Sequence, residues 1–167
     1  MTPAARPSFR ERRSAARLAA VQALYALEVS GDPAERVISD FVERRWSSVD
    51  QTKPGTPPDR AFLQGLVEGV VARRGEIDVA VGAALSQGWT MDRLEILLQA
   101  ILRSGAYELA AQPDVPVGVV INEYVEIAHE FFSGKEPGLV NAVLDRIAAQ
   151  MRAGTQDVPS GAGHGGT

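Results

Sequence analysis

The sequence predicts an all-α fold, and three observations carry that reading. Apolar residues recur four apart, which gathers them on one helix face: Phe62, Leu66 and Val70 form one such series, and Ile77, Val81 and Leu85 another. Alanine and leucine, which favour helix, are abundant, while β-branched runs are short. Turn-forming residues cut the chain into seven such segments.

The first helix runs from about Ser8 to Val29, with Ser8 as N-cap and Gly31 as its stop. Asp32-Pro33 opens a second, since proline suits the first helical position; it includes Val37, Ile38, Phe41 and Val42 and fades near Val49. Residues 50–58, DQTKPGTPP, form a polar loop. A third helix covers about Asp59 to Arg73, and Gly75 separates it from a fourth over Glu76 to Ser86. Thr90 caps the longest apolar helix, about Met91 to Ala111, and Gln112 to Pro116 turns the chain. The sixth helix covers about Val117 to Phe132 and ends at Ser133-Gly134; the seventh covers about Glu136 to Met151 with Pro137 in its first turn. The stretch VGVVI at Val117–Ile121 has strand-like composition, but a lone strand has no partner, so it reads as helix. From Ala153 the chain is mostly Gly, Ser, Pro and Thr, which cannot bury a core. The organisation is thus a flexible basic N-terminus (1–8), one helical domain (9–152) and a disordered Gly-rich tail (153–167).

Chemistry is mostly excluded. The 167 residues suit one domain. There is no cysteine, hence no disulfide, thiolate nucleophile or cysteine-bound zinc, which fits a reducing, cytoplasmic setting. No apolar run approaches the roughly 18 residues that span a membrane. His129 sits beside Glu126 and Glu130 on a solvated helix face, His164 lies in the tail, and no metal-ligand spacing joins them. Ser133-Gly134-Lys135 lacks the spacing and the preceding strand of a phosphate loop. Asp92 and Glu95 read as early-helix charges that favour the macrodipole. No catalytic, cofactor or metal site is expected.

Charge is uneven. Net charge is −4, but residues 1–17 hold five arginines against Glu11, while the rest carries 12 bases and 20 acids. The basic segment has the composition of an organelle transit peptide, yet it runs without a break into an apolar helix face, whereas a removable leader is separable from the fold. At about 100° per residue, Arg10, Arg13 and Arg17, with Arg6 if the helix reaches it, share a stripe about 60° wide, and Arg12 points elsewhere. The same face becomes apolar near Val21, Leu24 and Tyr25. Three partners remain open for the stripe: acids of the body, solvent, or phosphate. Basic groups at a helix N-terminus oppose the macrodipole by about 0.3–1 kcal/mol each, and arginine forks match phosphate oxygens, so an anion site is the sharper reading.

Four blocks in order resemble the NusB family of bacterial antitermination factors. They are RRSAARLAAVQALY at Arg12–Tyr25, LRSGAYEL at Leu102–Leu109, DVPVGVVINE at Asp114–Glu123 and VNAVLD at Val140–Asp145. The resemblance implies two three-helix bundles, over about 9–75 and 76–152, packed around the long first helix. It implies binding to boxA RNA of nascent ribosomal RNA transcripts together with the ribosomal protein NusE, within the RNA polymerase antitermination complex, and a possible homodimer when free. By that resemblance Arg10, Arg12, Arg13 and Arg17, with Gln22 and Tyr25, contact RNA. Lys135, Glu136, Leu139 and Asn141, around the turn into the last helix, hold the protein partner. This turn departs from the family's Asp-Ser-x-x-Phe-Val-Asn: Lys135 replaces the acid and Leu139 the aromatic. Two alternatives differ in class: an RNA-targeting module related to ribosomal RNA cytosine methyltransferases, or a protein-interaction domain whose arginines are paired internally.

Overall fold

The computed structural model describes residues 5–41 and 55–156, which form seven α-helices and no strand. These are α1 (Phe9–Ser30), α2 (Ala34–Ser39), α3 (Arg60–Ala72), α4 (Arg74–Ala84), α5 (Ile96–Ala111), α6 (Val117–Phe131) and α7 (Glu136–Gln156). Val42, Val49 and most of the 50–58 loop lie outside the described residues.

Local chemistry sets the ends of α1. The Ser8 hydroxyl accepts from the Glu11 N–H, the Glu11 carboxylate accepts from the Ser8 N–H, and Gly31 adopts φ 70° and closes the helix. Asp59 caps α3 through the Phe62 N–H at 3.1 Å. Its own N–H donates to the Arg12 carbonyl at 3.0 Å, which fastens the start of α3 to the first turns of α1.

Several boundaries depart from expectation. Gly75 does not separate two helices; it lies inside α4. Pro33 is the N-cap of α2 rather than its first helical residue. Helix α7 continues past the expected start of the tail to Gln156. The largest change is at α5, which starts at Ile96 and not at Met91. Met91–Arg93 is a separate 3₁₀ turn, and Leu94 and Glu95 are extended. Gln99 explains the break: its side-chain amide donates to the carbonyls of Met91 (2.8 Å) and Leu94 (2.9 Å), satisfying groups a continuous helix would have bonded along its axis. Asp92 and Glu95 therefore do not form an early-helix pair.

Helix α1 touches α2 and α3 on one side and α5 and α6 on the other. Helix α5 meets α1, α3, α4, α6 and α7, and 11 of its 16 residues are buried. One apolar cluster joins all these helices, with Val21, Leu66, Ile101, Val120 and Leu144 near its centre. Two glycines permit close approach. A side chain on Gly69 would strike the Tyr107 ring, and one on Gly105 would meet Leu144 and Tyr124. Among the described residues no helix is long and apolar enough to cross a membrane.

Candidate nucleic-acid interface

The first turns of α1 place the arginines at graded depth. Arg6 precedes the N-cap and so lies outside the helix, and it is exposed. Arg10 and Arg12 are exposed on the first turn and a half. Arg13 is half-buried, its guanidinium 4.5 Å from the Phe9 ring centre and 4.4 Å from that of Phe62. Arg17 is buried, at 2% exposure, and its guanidinium lies 5.2 Å from the same Phe62 ring. Cations and rings thus alternate from solvent to core in the order Phe9, Arg13, Phe62, Arg17.

Arg17 is not a solvent-facing phosphate contact in this fold. Its Nε donates to both carboxylate oxygens of Glu108, at 2.8 and 3.1 Å, and its Nη2 donates at 2.9 Å. Glu108 is fully buried and is the only acid of α5; it also accepts the Tyr124 hydroxyl at 3.0 Å. Burial opposes the charge on Arg17, but the hydrogen bonds and charge of Glu108 outweigh it, so its pKa is raised. Burial and the neighbouring Glu108 charge push the Tyr124 hydroxyl well above the usual tyrosine value. The expectation of one RNA-facing stripe is corrected accordingly: its inner member ties α1 to α5 and α6.

A neighbouring pair strengthens that tie. The Ser14 hydroxyl donates to Glu123 at 2.8 Å, and Arg17 Nη1 lies 3.8 Å from the same carboxylate. Beside it runs a groove of about 740 Å³ between α1 and α6. Arg10, Ser14 and Gln22 line one wall, and Glu123, Glu126 and Glu130 line the other. The acidic wall repels a polyanion. Gln22, half-buried, shares this groove with Arg10, whereas Arg12 is not part of its lining. Tyr25 is 42% exposed, almost four turns further along α1.

Three of the four expected partner residues gather at a second site. Lys135, Glu136 and Leu139 line a cleft of about 700 Å³ with Trp89, Arg93 and Leu98. Asn141 is exposed but is not in this lining. Trp89 is 53% exposed and offers an aromatic surface beside this cleft.

Sequence reasoning missed Phe9, Phe62, Glu108 and Trp89 as participants. Two signals were available. Phe9 and Arg13 stand four apart, the spacing of neighbours on a helix surface. Glu108 is the one acid of a mostly apolar helix whose only base, Arg103, is five residues away and off its face, so it calls for a cationic partner from another element.

Comparison with known proteins adds a consistent set of likenesses. A model of the NusB family matches residues 14–149. A transcription antitermination protein NusB from Sphingopyxis alaskensis is 47% identical over 140 residues, 84% of this chain and 94% of its own. One from Caulobacter vibrioides is 46% identical over 140 residues, with the same coverage of 84% and 94%. Among solved structures, T. maritima NusB superposes with a TM-score of 0.69 at 26% identity, over 86% of this chain and 92% of that one. A chain from the crystal structure of antitermination factors NusB and NusE in complex with dsRNA gives a TM-score of 0.70 at 24% identity, over 86% and 99%; this is a likeness of fold.

Proposed function

This chain belongs to the NusB family, and from that premise we propose that it is an RNA-binding transcription antitermination factor that acts in the cytoplasm. It binds boxA-type RNA of nascent ribosomal transcripts together with NusE and helps RNA polymerase read through terminators. The observation that carries this reading is the state of the outer arginines. Arg6, Arg10 and Arg12 are exposed and, among the described residues, make no ion pair, on a chain with acids in excess. Such a cluster opposes the helix macrodipole and gains most from an added polyanion. The RNA-contacting set is therefore Arg6, Arg10, Arg12 and the outward edge of Arg13, with Tyr25 further along α1. The protein partner occupies the cleft of Lys135, Glu136 and Leu139, where Trp89 offers an exposed aromatic anchor and Arg93 and Lys135 flank it with positive charge.

The chain works in this reading as a binding adaptor. The alternative of a methyltransferase targeting module is less favoured, because relatives aligned over 94% of their own length carry no second half. A gel shift with boxA-type leader RNA, with and without NusE, tests the proposal. Four arginines neutralising single-stranded phosphates give a slope of log affinity against log salt of about −3. No binding in either condition refutes the proposal.

A further inference from the structure

We propose that Phe9 is a stacking platform for an unpaired base of the bound RNA, an inference that rests on the RNA-binding reading above. Phe9 is the first residue of α1 and is 63% exposed, the second most exposed large apolar side chain among the described residues. Burial of apolar area does not hold it there. What it touches is a cation: the Arg13 guanidinium lies over its ring at 4.5 Å. Arg13 is itself anchored over Phe62, a buried residue at the start of α3. The Phe9 ring is thus held from its inner side, and its outer side meets solvent.

An aromatic ring presented this way suits a flat π-system. Unpaired bases in single-stranded RNA stack on exposed aromatic side chains, while cations beside the ring take the phosphates. Arg12 is three residues on, a helix-neighbour spacing, and the exposed Arg6 and Arg10 stand close by in the chain, so cations beyond Arg13 adjoin the ring in sequence. An apolar protein partner would meet those unpaired guanidinium groups at its edge and desolvate them, whereas a nucleotide satisfies the ring and the charges together. A cation over the ring also draws on its electron density, which favours a polarisable base against the opposite side. The Arg13 Nε is buried without a hydrogen-bond partner among the described residues, so Arg13 is held by the two rings, and its remaining N–H groups are oriented by them.

The test separates stacking from charge and from folding. The full chain with NusE is titrated with single-stranded boxA-type RNA at several salt concentrations, for wild type, Phe9→Ala, Phe9→Leu and Phe9→Tyr, with thermal melts of each. Phe9→Ala and Phe9→Leu are expected to weaken binding about 5- to 150-fold with an unchanged salt slope, and Phe9→Tyr to bind as wild type. If Phe9→Leu binds as wild type, the ring serves only as apolar packing and the inference falls. If the alanine variant flattens the salt slope, Phe9 acts through Arg13 and the inference also falls. A wild-type complex that fails to form refutes the RNA-binding reading itself, which is a different outcome from a complex indifferent to Phe9.

Discussion

Arg10 and Arg17 share a residue type, a helix and nearly a helix face, yet they end in opposite environments. Arg10 stands in solvent on the first turn of α1, while Arg17, two turns on, lies at 2% exposure with three hydrogen bonds to one carboxylate. The difference is depth along the helix axis. At the rim of the body, where α1 begins, a guanidinium is solvated and available; where α5 and α6 close over α1, only a paired guanidinium is tolerated. A stripe on a helical wheel therefore predicts direction but not destiny, and the inner end of this stripe builds the fold that presents the outer end.

The largest effect should come from breaking the buried end. Arg17→Ala or Glu108→Ala leaves one uncompensated buried charge and is expected to destabilise the fold by about 3–5 kcal/mol, read by urea unfolding. Replacing both with apolar residues of similar size should recover much of that loss; a double variant no better than the singles would show that the pair contributes more than its own desolvation. Tyr124→Phe removes one hydrogen bond to the Glu108 carboxylate, an expected loss of about 1.5–3 kcal/mol. It also changes the alkaline limb. The unfolded chain releases the tyrosine proton near pH 10, but the folded chain holds it well beyond that, so stability is full below about pH 10 and falls as pH rises further. In Tyr124→Phe that fall should be shallower, measured as unfolding free energy between pH 8 and 11. Arg10→Ala and Arg12→Ala belong at the other extreme. Each should leave stability within about 0.5 kcal/mol of wild type and flatten the RNA salt slope by about 0.7. If either unfolds the protein, or Arg17→Ala flattens the slope without loss of stability, the division of the stripe is wrong.

The comparison also marks what was readable in advance. The Ser8 cap, the Gly31 stop, the Asp59 start of α3 and the four-residue periodicities are local, so sequence spacing exposed them. The start of α5 was misplaced because Thr90 and Met91 look like a cap and an apolar first turn; Gln99, eight residues beyond Met91, takes those backbone carbonyls instead. The motif LRSGAYEL identified the family, yet both of its charges are structural. Glu108 holds Arg17, and Arg103 holds Asp78 of α4 at 2.7 Å. The four-residue spacing of Phe9 and Arg13 makes them helix neighbours, but only the structure shows the guanidinium seated over the ring.

By itself the sequence determined an all-helical chain, its cap chemistry, a basic start on an acidic body and, through four ordered blocks, the family. These follow from interactions within a few residues, or from residue identity alone. Only the tertiary structure decided which arginines remain available. That depends on contacts such as Arg17–Glu108, 91 residues apart in the chain, where a desolvated charge is tolerated only because a carboxylate from another helix meets it. The pairing of one arginine inward and the exposure of its neighbours outward are set by where α5 and α6 end against α1, which no spacing along α1 records.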